Sequence, residues 1–243
     1  MNPKYIQVSV LATIFSLQFF FEHILPQRKE LNSWKNERFN ITIGLFNIVV
    51  TILPAYLMVQ WVNFIGLRNI GLLNYIGIPR VLQIIVAIPI LDLWMYTWHR
   101  FNHINGFLWF FHRFHHKDQK MNSTTALRFH FVELLLSYPG KALICFMFGI
   151  NYLPLLMYEC LFSTSVIFHH SNIRMTERSD KIYRALFVSP FMHRVHHSII
   201  ETERNNNYGA LFSFWDRILK SWHKPVNSDI EFGINESGIE TPS

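Results

Sequence analysis

Imidazoles dominate the groups in this chain that could do chemistry, and their spacing is regular. His99 and His103 stand four apart; His112, His115 and His116 follow i, i+3, i+4, and His193, His196 and His197 repeat that pattern. Residues three and four apart share one face of an α-helix, so each triplet turns three imidazoles toward a single point. A neutral imidazole is a borderline ligand that suits iron, zinc, copper or nickel. With further single histidines among the thirteen in the chain, eight to ten ligands are on offer. One tetrahedral zinc takes about half that number, so two neighbouring metals are expected. A single HxxHH could equally be a solvated basic face. Two copies beside an HxxxH, at the edges of apolar runs, do not read that way.

Other residues gather near these. Asp92, Tyr96, His99 and His103 fall at i, i+4, i+7 and i+11, one continuous helical stripe. A carboxylate inside an apolar run is costly and usually has a partner. Asp92 is expected to accept a hydrogen bond from a ligand imidazole and so hold its tautomer, the alternative being a structural bond to a Tyr or Trp. Glu133 follows His130 by three and shares its face, whereas Glu159 has no such company and reads as structural. His169 and His170 are adjacent, so one of them faces the centre on a regular helix. His23 and His223 belong to no cluster and read as surface or interfacial groups.

The elements that must carry these residues are apolar helices. Of 243 residues, 50 % are apolar and 16 % charged, against about a quarter charged in soluble domains. No charge occurs from Tyr5 to Phe21 or from Phe39 to Leu67, and each stretch can cross a hydrocarbon layer about 30 Å thick. A bulky Phe run and Glu22-His23 stand where a signal peptide would have small residues, so the first stretch reads as a retained helix. Further apolar segments run over Val81–Trp98, interrupted by Pro89, Phe131–Ile150 and Tyr152–Phe168. The last two are joined through Asn151 with Gly149 and Pro154 beside it, which implies a helical hairpin or a broken pair that barely reaches the far leaflet. The expected fold is therefore an all-α integral membrane bundle of about four to five membrane segments, one pair forming that hairpin.

Loop charges orient the set. Arg28, Lys29, Lys35 and Arg38 follow the first segment, Arg100 to Arg128 follow the third, and nine Lys or Arg lie beyond His169. The positive-inside rule puts all of these, and every histidine cluster, on the cytoplasmic side. The formal charge of +6 sits in such loops rather than on a basic helix or an aromatic-basic array, which argues for a bilayer surface and against nucleic acid. Cys145 and Cys160 both lie in apolar runs and suggest neither a disulfide nor a thiolate zinc site. Residues 1–80 read as N-terminal membrane helices, 81–223 as the catalytic region and 224–243 as a polar, loosely ordered tail.

From Asp92 onward the residues resemble the fatty acid hydroxylase/sterol desaturase superfamily. The matching motifs are Asp92-Leu-Trp-Met-Tyr96-Thr-Trp-His99-Arg-Phe-Asn-His103, His112-Arg-Phe-His115-His116, and Leu127-Arg-Phe-His130-Phe-Val-Glu133. Phe168-His-His170-Ser-Asn172, His193-Arg-Val-His196-His197, Asn207-Tyr208-Gly209 and Trp215-Asp216-Arg217 complete them. The resemblance implies a helical membrane protein with a cytosolic helical cap that holds an all-histidine dimetal centre. Its ligands would be His99, His103, His112, His115, His116, His170, His193, His196 and His197, with His130 as a tenth. Phe131 stands after His130 where many members have Pro. Asp92, Tyr96, Glu133 and Asn172 are the expected catalytic residues beside these ligands.

The resemblance also implies two iron ions and O2 as co-substrate; zinc, which imidazole binds as well, can take the place of iron in purified protein. The reaction would hydroxylate or desaturate a membrane lipid. An unactivated methylene has no acidic proton for acid–base groups to exploit, so a redox metal must supply the oxidant. The chain carries no GxGxxG, haem-attachment or Cys-cluster motif, so electrons are expected from a separate donor, which the resemblance implies to be a ferredoxin or small haem protein. A metal-handling transporter would place its ligands near mid-bilayer, and a bis-histidine haem site needs facing single histidines rather than triplets. A lipid-binding protein without oxidase activity is the remaining alternative.

Overall fold

The computed structural model describes residues 3–225 and 230–234, with residues 3–10 as backbone alone. Its helices follow the apolar segments: α1 (Pro3–Ile24), α2 (Trp34–Arg68), a short α3 (Leu72–Tyr75) and α4 (Arg80–Ile104). Then come α5 (Gly106–His116) and, beyond a 3-10 turn at Ser123–Leu127, α6 (Phe131–Phe148) and α7 (Tyr152–His170). Four short helices close the chain, α8 (Glu177–Tyr183), α9 (Pro190–His196), α10 (Glu201–Arg204) and α11 (Phe214–Ile218). Isolated bridges are the sole β-pairing among the described residues, so the protein is all-α.

Three stretches, Trp34–Tyr75, Arg80–Ile104 and Phe131–Phe148, are long and apolar enough to cross a membrane. α1 is apolar over Leu11–Ile24, and α7 packs against α1, α2 and α4. α7 follows α6 across the short turn at Gly149–Asn151, and Lys141 of α6 donates to Glu159 Oε1 of α7 at 2.7 Å; α4 continues through Pro89 without a break. The turn of the hairpin meets the end of α2 at close range. Gly71 (φ 100°) faces Gly149 (φ 75°), and a Cβ on Gly71 would stand 2.1 Å from the Gly149 nitrogen. Glycine alone permits both the positive φ and that approach. The bundle core lies just above, with Val62 and Ile65 of α2, Leu91 of α4, Cys145 of α6 and Tyr158 of α7 in one buried cluster.

At the opposite end the helices run beyond the apolar zone and grip loops. α2 has 35 residues, about 52 Å at 1.5 Å per residue. Its first turns carry buried Asn40 and Asn47, which donate to Asp118 Oδ2 (2.8 Å) and the Phe129 carbonyl (2.9 Å). The cap built on these turns has its own small core of Leu31, Met121, Val195, Ile230 and Phe232. Residues 230–234 therefore dock onto the cap where the sequence suggested a loose tail: Phe232 bridges Ser198, and Ile199 N–H donates to the Glu231 carbonyl at 2.8 Å. The other tail positions, 226–229 and 235–243, lie outside the described residues.

Candidate metal centre

Four helices deliver histidines to this end of the bundle. His99 and His103 occupy the last turns of α4, and Asn105 turns the chain at once into α5 by accepting from the Leu108 N–H. α5 carries His112, His115 and His116, α7 ends on His170, and α9 begins on a Ser189 cap with Pro190 at its first position. The imidazole nitrogens form two groups. His99, His103, His112, His116 and His196 make one; His115, His170, His193 and His197 make the other, with ligand atoms within 4.8 Å of one another in each. Each HxxHH triplet is divided rather than aimed at a single point. Its i, i+4 pair joins one group and the remaining histidine joins the other, in opposite senses on α5 and α9.

Ring orientations follow from the outward-facing nitrogens. His99 Nδ1 bonds the Tyr208 carbonyl (2.9 Å), and His196 Nδ1 the Asn206 carbonyl (2.8 Å). His115 Nδ1 bonds the Arg128 carbonyl (3.2 Å), and His170 Nδ1 the Val166 carbonyl (2.7 Å). A carbonyl accepts only, so each of these rings is protonated on Nδ1 and presents a lone pair on Nε2. Yet His99 Nε2 lies 2.9 Å from His196 Nε2, and His115 Nε2 lies 3.0 Å from His170 Nε2. Two lone pairs face each other in both places. That contact is repulsive unless a cation shares it. For metal–nitrogen bonds of about 2.1 Å, ligands at right angles stand about 3.0 Å apart and tetrahedral ones about 3.4 Å. The spacing fits the former. Among the described residues His103 Nε2 and both nitrogens of His197 are buried with no hydrogen-bond partner, which leaves each of these rings a nitrogen to offer a metal. The residues present fit a pair of metals.

Burial pushes the imidazoles of His115, His116, His193, His196 and His197 well below the ordinary histidine range, and neighbouring imidazoles add to the effect. They are neutral at physiological pH, the form that binds a metal.

Several supporting residues stand elsewhere than expected. Asp92 bonds no histidine: it accepts from the Leu211 and Phe212 N–H groups (3.1 and 3.0 Å), Trp215 Nε1 (2.9 Å) and Tyr158 Oη (3.3 Å). It fastens the 211–215 segment to α4, the structural alternative. Tyr96 Oη pairs with Ser221 Oγ at 2.6 Å, away from the imidazoles. Asn172 bonds the Arg28 N–H and carbonyl and the Asn32 side chain, clamping the loop after α1. His130 joins neither group, because its Nδ1 caps α6 by accepting from the Val132 N–H (3.2 Å). Glu133 does hold an imidazole of the first group, with Oε1 2.8 Å from His112 Nδ1. His170, not His169, is the member of the adjacent pair within a group. His169 is buried beside it, its ring 4.0 Å from that of His193.

Other contributors carry little signal in the sequence. Tyr208 supplies the carbonyl for His99 and lays its ring 5.2 Å from that of His103. Buried Asp216 sets the Tyr208 backbone by accepting from the N–H groups of Tyr208 (2.7 Å) and Gly209 (2.9 Å). Trp109 covers His103 and His116 at 5.0 and 5.6 Å, and Phe129 stacks on His115 at 4.3 Å. Asn207-Tyr208-Gly209 and Asp216 stand out as motif residues, but nothing local indicates that they act through backbone groups.

A family model described as fatty acid hydroxylase matches residues 84–221, which include all nine clustered histidines. Among curated proteins, the ornithine lipid hydroxylase OlsE of Rhizobium tropici is 30 % identical over 159 residues, 64 % of this chain and 46 % of its own. The very-long-chain aldehyde decarbonylase GL1-9 of Oryza sativa subsp. indica is 30 % identical over 153 residues, 62 % of this chain and 57 % of its own. Sphinganine C4-monooxygenase 2 of Arabidopsis thaliana is 29 % identical over 142 residues, 58 % of this chain and 54 % of its own. The matched stretch thus spans about half the length of these relatives. No solved structure matches the chain.

Proposed function

Since the chain belongs to the fatty acid hydroxylase family, we propose that it is a membrane-bound oxidase that hydroxylates or desaturates a lipid at a centre of two iron ions. One observation carries this reading: two groups of buried imidazoles hold lone pairs face to face at 2.9 and 3.0 Å. One metal would be held by His99, His103, His112, His116 and His196, the other by His115, His170, His193 and His197. When bound, the pair supplies the oxidant for an unactivated C–H bond, drawing on O2 and two electrons.

The chain's own residues prepare that chemistry. Carbonyls of Tyr208, Asn206, Arg128 and Val166, with the Glu133 carboxylate, lock ring tautomers so that ligand nitrogens converge before any metal arrives. Burial keeps the rings neutral and water out. The helices bring the centre to the end of apolar spans, where a bilayer lipid reaches it without first entering water. The relatives named above act on ornithine lipid, aldehyde and sphinganine according to their names, which supports a lipid substrate here.

Loop charges support a cytoplasmic location for the centre, where a soluble one-electron donor, a ferredoxin or small haem protein, has access. Single cysteines at exposed Lys29, Gln119 and Lys220 would label from that side and one at Asn69 from the other. Opposite labelling of Gln119 and Lys220 sinks the sidedness. The function itself is tested by comparing lipids from cells with and without the protein, alongside iron analysis after ferrous reconstitution. A lipid one oxygen heavier or two hydrogens lighter, with about two irons per chain, is expected. Unchanged lipids from an iron-loaded protein overturn the reading.

A further inference from the structure

The membrane-facing surface between α2 and α6 holds an apolar groove of about 680 Å³. Leu53, Leu57 and Trp61 line it from α2; Leu135, Tyr138 and Ala142 line it from α6. Both walls belong to spans apolar enough to sit in hydrocarbon, so a lipid chain is the occupant that the surroundings supply. Both walls also continue toward the metal centre. Phe131 is one turn before Leu135 on the α6 stripe, and Phe46 lies two turns before Leu53 on α2. The two rings meet edge to face at 5.9 Å. Phe131 in turn stacks on His130 at 4.8 Å, and Phe111 flanks His130 at 4.9 Å. The residue before His130 is Phe129, stacked on the His115 ligand ring.

His130 therefore stands where the groove reaches the histidine cap, and its tautomer is decided by its surroundings. Its Nδ1 accepts from the Val132 N–H, so a neutral ring carries its proton on Nε2 and offers one N–H donor. No hydrogen bond among the described residues uses that donor. Aromatic rings surround it rather than acceptors.

We propose that a bilayer lipid enters sideways between α2 and α6, with its chain in the groove and an acceptor oxygen at its polar end bound by His130 Nε2–H. The occupant is an acyl-chain lipid with an ester or amide carbonyl at the interface, and His130 is a substrate-positioning residue rather than a metal ligand. This deepens the proposed function and rests on it for the chemistry, but lipid occupancy can be read without oxidation.

The test uses the full chain in phosphatidylcholine vesicles in which one acyl chain bears a photoreactive diazirine. Irradiation should place adducts on Leu53–Phe64 and Leu135–Ala142 several-fold above the exposed α4 residues Val81 and Ile85. Asn and Asp both cap helices well, so His130→Asn and His130→Asp keep the α6 terminus while differing in the donor. His130→Asp should reduce groove adducts about tenfold, the scale of one lost hydrogen bond, while His130→Asn stays near the parent. Both variants should keep the parent's metal content, which shows that the cap remains folded. Adducts spread evenly over α2, α4 and α6, or equal labelling of the Asn and Asp variants, overturn the proposal. Groove adducts without lipid oxidation would instead leave it standing and count against the oxidase reading.

Discussion

Glu133 Oε1 lies 2.8 Å from His112 Nδ1, and Asn102 Nδ2 approaches the same oxygen at 3.5 Å. The bond ties the first turn of α6 to the middle of α5 and fixes which nitrogen of His112 faces the centre. It is charge-assisted and buried, the setting in which such bonds are strongest.

Replacing this carboxylate tests its part directly. Glu133→Gln keeps the shape but removes the charge that makes His112 a stronger base. Metal affinity should fall about 10–100-fold, the usual range for such partners. Competition with a chelator, followed by elemental analysis, measures it. Unchanged affinity would show that the His112 tautomer needs no carboxylate.

The divided triplets make a second prediction. His196 belongs to the five-histidine group and its neighbour His197 to the four-histidine group. His196→Ala and His197→Ala should each lower metal content toward about one ion per chain, and the double variant toward none. His23→Ala should leave the parent content, because His23 pairs with Glu37 at 3.3 Å outside both groups. Equal retention of two ions by all four proteins would refute the grouping.

Asp92 should behave as a structural residue. Asp92→Ala leaves four donors without their acceptor, each worth about 1–3 kcal/mol when stranded in a buried site. Folded yield and Tm should drop sharply in the Ala variant and less in Asp92→Asn. Metal per folded chain should stay near the parent value in Asp92→Asn. A variant with normal Tm but missing metal would return Asp92 to the metal environment.

Acid should loosen the metal-free cap. The imidazoles of His115, His116, His193, His196 and His197 titrate well below their unfolded value of 6.5. Below that pH the unfolded chain takes up protons that the folded one refuses, so stability is present above it and is lost as pH falls. Thermal melting of the apoprotein from pH 7.5 down to 5 should show Tm falling by on the order of 10 °C. The loss should shrink when His196 and His197 are both replaced by Ala. A flat profile would mean that these rings are charged inside the fold.

Local spacing determined a good deal about this protein. The i, i+3 and i+4 intervals placed His112, His115, His116 and their α9 counterparts on helix faces, because helix periodicity is set by the backbone itself. The charge-free run Phe39–Leu67 marked α2, and the apolar run Val81–Trp98, with Asp92 its one charge, marked α4. Gly149 and Asn151 marked the hairpin turn. What the tertiary structure decided was which partner each polar group found. Asp92 and Glu133 both looked able to orient a ligand. The segment 211–215 folded back onto Asp92 and consumed its lone pairs, while Glu133 was left facing His112. Asn172 was taken by the loop at Arg28, and His130 by the end of α6. The division of each triplet between two groups likewise required α4, α5, α7 and α9 to meet. Hydrogen bonds and metal ligation saturate over about 3 Å, so they are settled by whichever group arrives from elsewhere in the chain, and spacing along one helix carries no record of that arrival.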